Sequence, residues 1–552
     1  MVGDLVPLGR LCAGSRPRSV IHLVTRKEGA MNQSYEQLPN VFNVAAYFVE
    51  GNLYRGHGSR AAFYHQDQTY SYSDVYTNVR SAAALLSDLG VERENRVAIV
   101  LPDSPEFVFA FWGAIWLGAV PVPINTGSTV DDIQYILQDC RAKVLLTNQE
   151  WQEKLAPIQS KFLRHVLLTD GENPFGSALK QQTKELTPAE TSADEPAFWL
   201  YTSGSTGRPK GVLHLHRSMV VCAQLYGKNT LGLHQDDITY SVAKMPFAYG
   251  LGNTLYMPMA VGGAAVLSDA PNAFDVIDDI HRYRPTILFG IPAVYAGLLA
   301  AHEITPLDVS SLRLCASAAE QLPSTIWHKW QETFGIKIYE GIGTTELLHI
   351  FLSNRPGECR PGSSGRPVPG YDVRVVDQNG LPLPPGEIGS LEVSGKSLML
   401  GYWNRLRETR EALSGETMLT GDKYLCDRDG YFSFMGRKDD FFKVNGQWVS
   451  PFEIEDVLLQ HESVLDVAAI PESDGGEHLT QVVAYICLKS GFRESGQLED
   501  SIRKFAKSQL AHFKAPKTIH FLSELPRTST GKIHRKALLK TTRKVVPTSE
   551  LV

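Results

Sequence analysis

The sequence predicts an α/β protein. We expect a large N-terminal domain of helix-covered, mostly parallel sheets with a small β-barrel-like unit, followed by a smaller, mobile α+β domain. Three observations predict this architecture. Apolar strand-like runs alternate with helical patterns through the first two-thirds of the 552 residues, which is typical of parallel sheets. From about Pro361, short strand patterns lie between Gly/Pro turns. After Gly436 the pattern becomes helix, two strands, helix.

The individual elements follow from the spacing of apolar residues. In the segment 71–89, Tyr72, Val75 and Val79 recur at helical spacing, whereas 96–101 (RVAIVL) is a continuous apolar run typical of a buried strand. By the same criteria the predicted helices are 71–89, 107–117 (with Gly118 as C-cap), 274–284, 451–461 and 497–510. The predicted strands are 96–101, 143–147, 286–289, 373–376, 390–393, 464–470 and 481–488.

These elements divide the chain into three parts. Residues 31–436 are predicted to form the N-terminal domain, with a β-rich subdomain at about 361–436, and residues 437–552 the mobile C-terminal domain. Residues 1–30 carry five basic residues but no sustained apolar core of a secretory signal. We interpret them as a mis-called start or a disordered leader, and an organelle transit peptide is the alternative.

Composition excludes several classes of protein. With 43% hydrophobic and 21% charged residues, the chain is neither disordered nor fibrous. Its seven scattered cysteines form no CxxC pair, which argues against a disulfide framework or a zinc site and favours a cytoplasmic protein. The uncharged stretch 107–124 contains Pro121 and Pro123, so we expect no membrane span.

Charge gives no sign of a nucleic-acid partner over the whole chain, because the net charge is −6. Residues 503–544 are the exception, with 12 Lys/Arg and one acidic residue, Glu524. A nucleic-acid patch is conceivable there. The simpler interpretation is a domain face that meets the phosphates of nucleotide substrates, so no nucleic acid is predicted. The sequence leaves a monomer and a homodimer open.

The strongest local signal is the segment Tyr201-Thr-Ser-Gly-Ser-Thr-Gly-Arg-Pro-Lys210-Gly211, which follows the short apolar run 197–200. Glycines let backbone N–H groups face anionic oxygens, and the hydroxyl groups and Lys210 add donors, so this composition suits a phosphate-binding loop. A Ser/Gly-rich surface turn is the alternative. The loop is not a Walker A motif, because Pro209 precedes the lysine and Gly211 follows it.

Four further motifs complete an ordered set: Gly343-Thr-Thr-Glu346, Thr420-Gly-Asp422, Gly436-Arg-Lys-Asp-Asp440 and Pro526-Arg-Thr-Ser-Thr-Gly-Lys532. With the loop, they make the chain resemble the acyl-adenylate-forming superfamily over roughly residues 35–545. That superfamily includes acyl-CoA synthetases, adenylation domains and firefly luciferase. Each motif alone is weak, but the ordered set is specific.

The resemblance implies ATP, Mg²⁺ and coenzyme A as cofactors and assigns roles to individual residues. The loop residues Thr202, Ser203, Gly204, Ser205, Thr206, Gly207 and Lys210 would clamp the departing pyrophosphate. Thr345 would contact the α-phosphate, Glu346 would bind Mg²⁺, Asp422 and Arg437 would hold the ribose, and Lys532 would be the catalytic lysine. Asp439 matches the hinge about which the C-terminal domain turns between the two half-reactions. Gly446 would flank the tunnel for the thiol arm of CoA.

Within the superfamily, the segments 244–253 and 340–350 resemble the benzoate–CoA ligase branch. Ile342 stands where a tyrosine is common, and Trp448 where many acetyl- and fatty-acyl-CoA synthetases have arginine. By analogy, the acid site would be formed by Ala248, Tyr249, Ala319, Gly343, His349 and Ile350. Small residues would leave a flat slot, and Tyr249 an aromatic wall. Two alternatives stay open for His349: contact with the substrate, or a structural role at the start of the strand 350–352.

The sequence therefore predicts an ATP- and Mg²⁺-dependent ligase that joins an aryl carboxylate, benzoate or a simple substituted benzoate, to CoA. The nearest alternative is an enzyme that loads an aryl group onto a carrier protein in trans. A luciferase-like oxygenase shares the motifs and is a further alternative. The presence of Lys532, Glu346 and Asp422 disfavours a non-enzymatic binding module.

Overall fold

The structure is a computed structural model that describes residues 35–156, 160–171, 174–202, 208–437, 441–444, 447–473, 480–527, 533–535 and 537–538. The leader 1–30, five residues of the phosphate loop (203–207), Asp439, Gly446 and Lys532 lie outside these ranges. In the part of the chain that the structure describes, no helix has the length and apolar character needed to span a membrane.

Strands occur throughout the described part of the chain, and they alternate with helices in its first half. The strands are β1 Ala61–His65, β2 Gln68–Ser71, β3 Arg96–Ile99, β4 Val120–Pro123, β5 Val144–Thr147, β6 His165–Leu168, β7 Pro196–Thr202, β8 Lys210–Leu215, β9 Ile238–Ser241, β10 Ala264–Val266, β11 Ile287–Gly290, β12 Leu314–Ser317, β13 Ile338–Gly343, β14 Ile350–Ser353, β15 Arg366–Pro367, β16 Asp372–Val376, β17 Ile388–Ser394, β18 Gly401–Tyr402, β19 Leu413–Ser414, β20 Thr417–Cys426, β21 Phe432–Arg437, β22 Phe442–Val444, β23 Gln447–Val449, β24 Val464–Ser473, β25 Thr480–Leu488 and β26 Thr518–Phe521.

The α-helices are α1 Gly51–Tyr54, α2 Tyr72–Asp88, α3 Pro105–Trp116, α4 Val130–Asp139, α5 Gln149–Leu155, α6 Phe175–Lys180, α7 His216–Cys222, α8 Ala248–Leu251, α9 Met257–Val261, α10 Ala273–Tyr283, α11 Pro292–His302, α12 Ser324–Phe334, α13 Leu406–Ala412, α14 Pro451–Leu459 and α15 Gly496–Gln509. Short π-helices occupy Ala46–Glu50, Ala223–Lys228 and Gly252–Tyr256, and 3₁₀ turns occupy Tyr35–Gln37 and Thr345–Leu347.

Two sheets with parallel centres form the N-terminal part. The larger has nine strands in the order β15-β14-β13-β12-β11-β9-β10-β1-β2. Its pairings from β13 to β1 are parallel, and those at the two ends are antiparallel. The smaller, β4-β3-β5-β6, is parallel throughout. The antiparallel strands β7, β8 and β18 form a third sheet. The predicted α/β architecture is confirmed.

Local sequence explains where the helices begin and end. Helix α2 starts after Ser71, whose hydroxyl accepts the Asp74 N–H while the Asp74 carboxylate accepts the Ser71 N–H, which is a capping box. Helix α3 has Ser104 as its N-cap and Pro105 in its first turn, and it is buried along its whole length, as predicted. Gly118, expected as its C-cap, follows the C-cap Leu117 and has a φ of 79°.

The remainder of the chain forms two smaller units. The predicted β-rich unit is an antiparallel sheet in the order β16-β17-β20-β19, with β21 also paired to β20. In the C-terminal part, α14 and α15 cover the sheet β24-β25-β26, and its core includes Ile454, Ile502 and Ala484.

One buried ion pair fixes the amino-terminal ends of three strands of the large sheet. Asp237, directly before β9, is 1% exposed. Its carboxylate accepts the Arg313 Nε–H at 2.7 Å, the Thr286 hydroxyl at 2.8 Å and the His234 backbone N–H at 2.9 Å. Burial by itself would raise the pKa of Asp237, but these donors outweigh it and hold the pKa below the usual value.

We predict that Arg313→Met destabilises the protein by about 2–3 kcal/mol at pH 7, because it leaves the buried Asp237 carboxylate without its cation. A depressed folded-state pKa means that this contribution is present above the unfolded-state pKa of about 4 and is lost as the pH falls below it. The difference between parent and variant should therefore shrink in acid. Urea unfolding at pH 7 and at about pH 3, below the unfolded-state pKa, measures this difference.

Lys329→Met is the control, because the Lys329–Glu303 pair is exposed on both sides and should contribute less than about 1 kcal/mol. A loss in Arg313→Met no larger than in Lys329→Met would contradict the assigned role of Asp237.

Candidate active site

Several predicted site residues follow the carboxyl ends of neighbouring strands. Gly343 ends β13, Ala319 comes two residues after β12, and Ala248 begins the helix that follows β9. These strands belong to the parallel centre of the large sheet. Because the carboxyl ends of parallel strands meet at one edge, the three small residues converge there, which is where ligands bind in open α/β sheets.

The phosphate loop connects two antiparallel strands. Thr202 ends β7 and pairs with Lys210, which begins β8. Gly211 permits close packing, because a Cβ there would lie 3.1 Å from Cζ of the Tyr201 ring. The Tyr201 hydroxyl in turn donates to Asp139 at 2.6 Å. Both ends of the loop are thus held by strand pairing.

Glu346 lies beside the lysine end of this loop. The Tyr402 hydroxyl donates to Glu346 Oε1 at 2.7 Å, and Lys210 Nζ lies 5.1 Å from the centre of the Tyr402 ring. Tyr402 belongs to β18, which pairs with β8. The Lys210 cation and the Glu346 carboxylate therefore both lie next to the Tyr402 side chain. A metal ion bound to phosphate can be held between such a carboxylate and such a cation. In the part of the chain described, no group of three or more His, Cys, Asp or Glu side chains is arranged to hold a metal ion.

A buried histidine connects β8 to the Thr345–Glu346 segment. His214 Nε2 donates to the Thr345 carbonyl at 2.8 Å, and its ring stacks on Phe198 at 5.1 Å. Burial lowers the pKa of His214 to about 3, so the ring is neutral near pH 7. The sequence does not indicate this link, because the two residues are 131 positions apart.

Asp422 and Arg437 face each other across two strands. They are register partners on β20 and β21, and Arg437 Nε lies 3.0 Å from Asp422 Oδ1. The Asp422 side chain is 4% exposed, whereas that of Arg437 is 55% exposed. A buried acceptor thus adjoins an accessible donor, an arrangement suited to hydroxyl groups.

Tyr249, predicted as one wall of the acid slot, packs against two other rings. The Tyr249 ring meets Phe289 edge-on at 6.1 Å and lies 5.6 Å from the His349 ring. Ala319 is exposed and has a left-handed φ of 74°. Ile350, also expected in the slot, is 1% exposed and packs in the main core.

His349 lies behind Tyr249. It is 2% exposed, and its Nε2 donates to the Tyr249 carbonyl at 3.3 Å. Burial lowers the pKa of His349 to about 3. Of the two alternatives that the sequence left open, this geometry favours the structural one: a neutral imidazole that holds the Tyr249 backbone.

Gly343 has a backbone reason to be glycine. A Cβ at this position would lie 2.3 Å from the His349 carbonyl oxygen, because β13 and β14 pair closely at Gly343 and Ile350. The close pairing of β13 with β14 is therefore sufficient to require glycine at position 343.

Two buried carboxylates that the sequence did not single out support the site. Asp103, 2% exposed, accepts the Met245 N–H at 2.9 Å and so fixes the segment that leads to Ala248. Glu340, 4% exposed, accepts the Leu322 N–H at 3.3 Å. Burial raises the pKa of Asp103 to about 7 and that of Glu340 to about 8. No periodic pattern marks either residue, because each acts on backbone that is distant in sequence.

Comparisons with known proteins agree with this geometry. Residues 52–403 match the family model of the AMP-binding enzyme, and residues 453–532 match the model of the AMP-binding enzyme C-terminal domain. The chain is 39% identical to a benzoate–CoA ligase of Thauera aromatica, over 90% of this chain and 96% of the relative. It is 40% identical to a 4-hydroxybenzoate–CoA/benzoate–CoA ligase of Rhodopseudomonas palustris, over 91% and 94%.

Solved structures give the same result. An anthranilate–CoA ligase in complex with anthranoyl-AMP superposes with a TM-score of 0.88 at 38% identity, covering 92% of this chain and 99% of that one. A benzoate–CoA ligase from Burkholderia xenovorans gives 0.84 at 36% identity, covering 90% and 100%. The chain belongs to the AMP-binding enzyme family and, within it, to the benzoate–CoA ligase branch.

Proposed function

We propose that this protein activates benzoate or a simple substituted benzoate with ATP and Mg²⁺, as an acyl-AMP, and transfers the acyl group to CoA with release of AMP and pyrophosphate. One observation carries the proposal. The Tyr402 side chain contacts both Lys210 and Glu346, and the Asp422–Arg437 pair supplies a buried acceptor beside an accessible donor. The curated relatives are named as ligases of benzoate and hydroxybenzoate.

The chemistry explains why a nucleotide is needed. A carboxylate is a poor acylating agent, because its carbon is electron-rich and its leaving group would be oxide. One carboxylate oxygen attacks the α-phosphorus of ATP as the bond to the bridging oxygen breaks and pyrophosphate leaves. The thiol of CoA then attacks the acyl carbon and displaces AMP. Catalysis of the first step consists mainly of positioning and charge neutralisation.

For the triphosphate, we assign the clamp to Thr202, Lys210 and the loop 203–207 between them, with Thr345 at the α-phosphate. The His214 hydrogen bond supports this assignment, because it fixes the Thr345 carbonyl against the strand that begins at Lys210. Asp422 and Arg437 are assigned to the ribose. On binding, the two ribose hydroxyls would donate to the Asp422 carboxylate, which is already desolvated.

Glu346 fits Mg²⁺, which prefers hard oxygen ligands and usually takes one or two carboxylates together with phosphates and water. When bound, the ion supplies positive charge at the phosphate oxygens. The Tyr402 hydroxyl fixes the orientation of the Glu346 carboxylate, and Lys210, next to the Tyr402 ring, adds a second positive charge.

For the acid, we assign the slot to Ala248, Tyr249, Ala319 and Gly343, with His349 and Ile350 supporting it from behind. Tyr249 offers an aromatic face and the small residues leave room for a flat ring. Lys532 as catalytic lysine, Asp439 as hinge and Gly446 beside the CoA tunnel complete the proposal.

We further propose the cytoplasm as its location. Cys140, Cys222, Cys315, Cys359, Cys426 and Cys487, the cysteines of the described ranges, are free thiols, which suits a reducing compartment. Small molecules are the proposed partners: an aryl carboxylate and CoA, with a monomer and a homodimer equally compatible.

The deciding measurement is pyrophosphate release from ATP across a panel of acids, with and without CoA. We expect benzoate and simple substituted benzoates to be turned over and hexanoate to be poor. We also expect sustained turnover to require CoA, with benzoyl-CoA and AMP as products. Equal activity on hexanoate and benzoate would contradict the aryl assignment. Turnover only with an acyl-carrier protein would favour the carrier-loading alternative.

Tyr402→Phe tests the metal assignment. Removing the hydroxyl that orients Glu346 should weaken the apparent affinity for Mg²⁺ about tenfold, as loss of a hydrogen bond to a metal ligand commonly does. The KM for benzoate should hardly change. Mg²⁺ titration of pyrophosphate release measures this. Tyr240→Phe is the matched control, because its hydroxyl donates to a different carboxylate, Asp279, at 2.8 Å. Equal effects in both variants would refute a specific role for Tyr402.

Ala248→Leu tests the slot. The added methylenes should overfill a close-packed space and cost about 1–3 kcal/mol of binding, first for para-substituted benzoates and less for benzoate. We expect the ratio of kcat/KM for benzoate over 4-methylbenzoate to rise, with the KM for ATP unchanged. An unchanged ratio would mean that Ala248 does not line the slot.

A further inference from the structure

A second polar cavity lies away from the proposed active site. Its volume is about 310 Å³, and the side chains around it include Arg96, Arg141, Lys143 and Arg164. Arg96 begins β3, and Lys143 and Arg164 each directly precede a strand, β5 and β6. The cavity therefore lies at the amino-terminal ends of three adjacent parallel strands, whereas the proposed catalytic slot lies at carboxyl ends of the large sheet.

The charge around this cavity is unbalanced. Four cations face one carboxylate, that of Glu92, although the chain as a whole has a net charge of −6. Within the described ranges, none of the four forms an ion pair. Most surface cations elsewhere have a carboxylate nearby, as in the Arg93–Glu195 and Lys184–Asp88 pairs.

Two of these cations are held close together by the same aromatic ring. The Arg96 and Arg141 guanidinium carbons lie 5.8 and 5.5 Å from the centre of the Trp403 ring. Arg96 is further fixed by donating from Nε to the Cys140 carbonyl at 2.6 Å and from Nη1 to the Glu94 carbonyl at 2.7 Å. Burial lowers the pKa of Arg96, and the Arg141 charge acts in the same direction. Like charges that are pre-positioned and only partly offset by the Glu92 and Glu94 carboxylates favour an anion between them.

The remaining walls are suited to more than a bare ion. Phe162 presents an aromatic ring and Asn95 an amide. A planar base can stack on the ring of Phe162, while guanidinium groups bind phosphate oxygens in a fork-like manner. The cavity thus combines the side chains that recognise a phosphate group with those that tolerate an attached base.

We propose that this cavity is a second anion site, which binds a phosphate-bearing small molecule independently of the phosphate loop. It goes beyond the proposed ligase function. Trp403, which holds two of the cations, directly follows Tyr402 and donates its backbone N–H to the Gly211 carbonyl at 2.8 Å. The cavity therefore adjoins strand β8 through Trp403, and none of its four cations belongs to the proposed phosphate clamp.

Calorimetric titration of the full-length protein with inorganic pyrophosphate tests the proposal. We expect two equivalents to bind to the parent. Lys210→Ala should lose the equivalent at the phosphate loop and keep the second. The double variant Arg141→Asn/Arg164→Gln should weaken binding of the second equivalent at least about tenfold. Each lost hydrogen bond to a charged group is expected to lower the affinity by a factor of about ten or more. Asparagine is chosen at 141 because the backbone there is left-handed, with a φ of 54°.

Lys329→Gln is the matched control. Lys329 does not line the cavity and its ion pair is with the exposed Glu303, so the variant should still bind two equivalents. Ligase activity of the double variant should equal that of the parent, which separates this test from that of the proposed function. Adenosine 3′,5′-bisphosphate as titrant distinguishes the source: tighter binding than pyrophosphate at the second site indicates a nucleotide, and weaker binding a free phosphate anion. One equivalent in the parent, or two unaltered equivalents in the double variant, would overturn the proposal.

Discussion

The site depends on strand β8, because each part of the proposed phosphate clamp is tied to it. Lys210 begins the strand, and β7, which carries Thr202, pairs with it on one side. On the other side β18 brings Tyr402 against Glu346. From within the strand, His214 donates to the Thr345 carbonyl. Both ends of the loop are therefore held by main-chain pairing. Glu346 and Thr345 are each held by a side-chain hydrogen bond from a residue of this sheet. Side chains positioned in this way lose little further entropy when a ligand binds, which is the basis of preorganised catalysis.

The residues proposed for the acid slot are held by a different set of contacts. Close pairing of β13 with β14 at Gly343 leaves no room for a Cβ and brings His349 under Tyr249. The imidazole is neutral and donates to the Tyr249 carbonyl, and Asp103 holds Met245 at the start of the same segment. The aromatic wall is thus set by hydrogen bonds to backbone on both sides. A mutation behind the slot should consequently alter selectivity through the position of Tyr249.

Much of the fold could be predicted from sequence, because its signals are local. The helix 71–89 has its cap and its apolar spacing within one segment, and the structure begins and ends it within a residue of the prediction. Ordered motifs likewise singled out Glu346 and Asp422 as candidate site residues. What could not be predicted are contacts between distant segments. Asp103 binds a backbone 142 positions away, and Tyr402 reaches Glu346 across 56 positions. Hydrogen bonds to backbone leave no periodic or compositional trace, so neither residue stood out. The same reason left His349 undecided, since burial decides its role and the motif does not.

The end of β21 carries Arg437, which we assign to the ribose, and also contacts the C-terminal part of the chain. Gly436, with a φ of 128°, lies next to Arg437, and a Cβ at Gly436 would be 2.9 Å from Phe441 and 3.1 Å from Phe452. Phe452 also meets Phe434 edge-on at 4.9 Å. The contact is small and includes one hydrogen bond, from the Ser450 hydroxyl to the Met435 carbonyl, so it can be exchanged for another at lower cost than a buried ion pair. The proposed turn of the C-terminal domain between two half-reactions would require such a contact. Because Arg437 lies at the end of β21 and its partner Asp422 on the adjacent strand, a ribose bound to both of them would link these two strands.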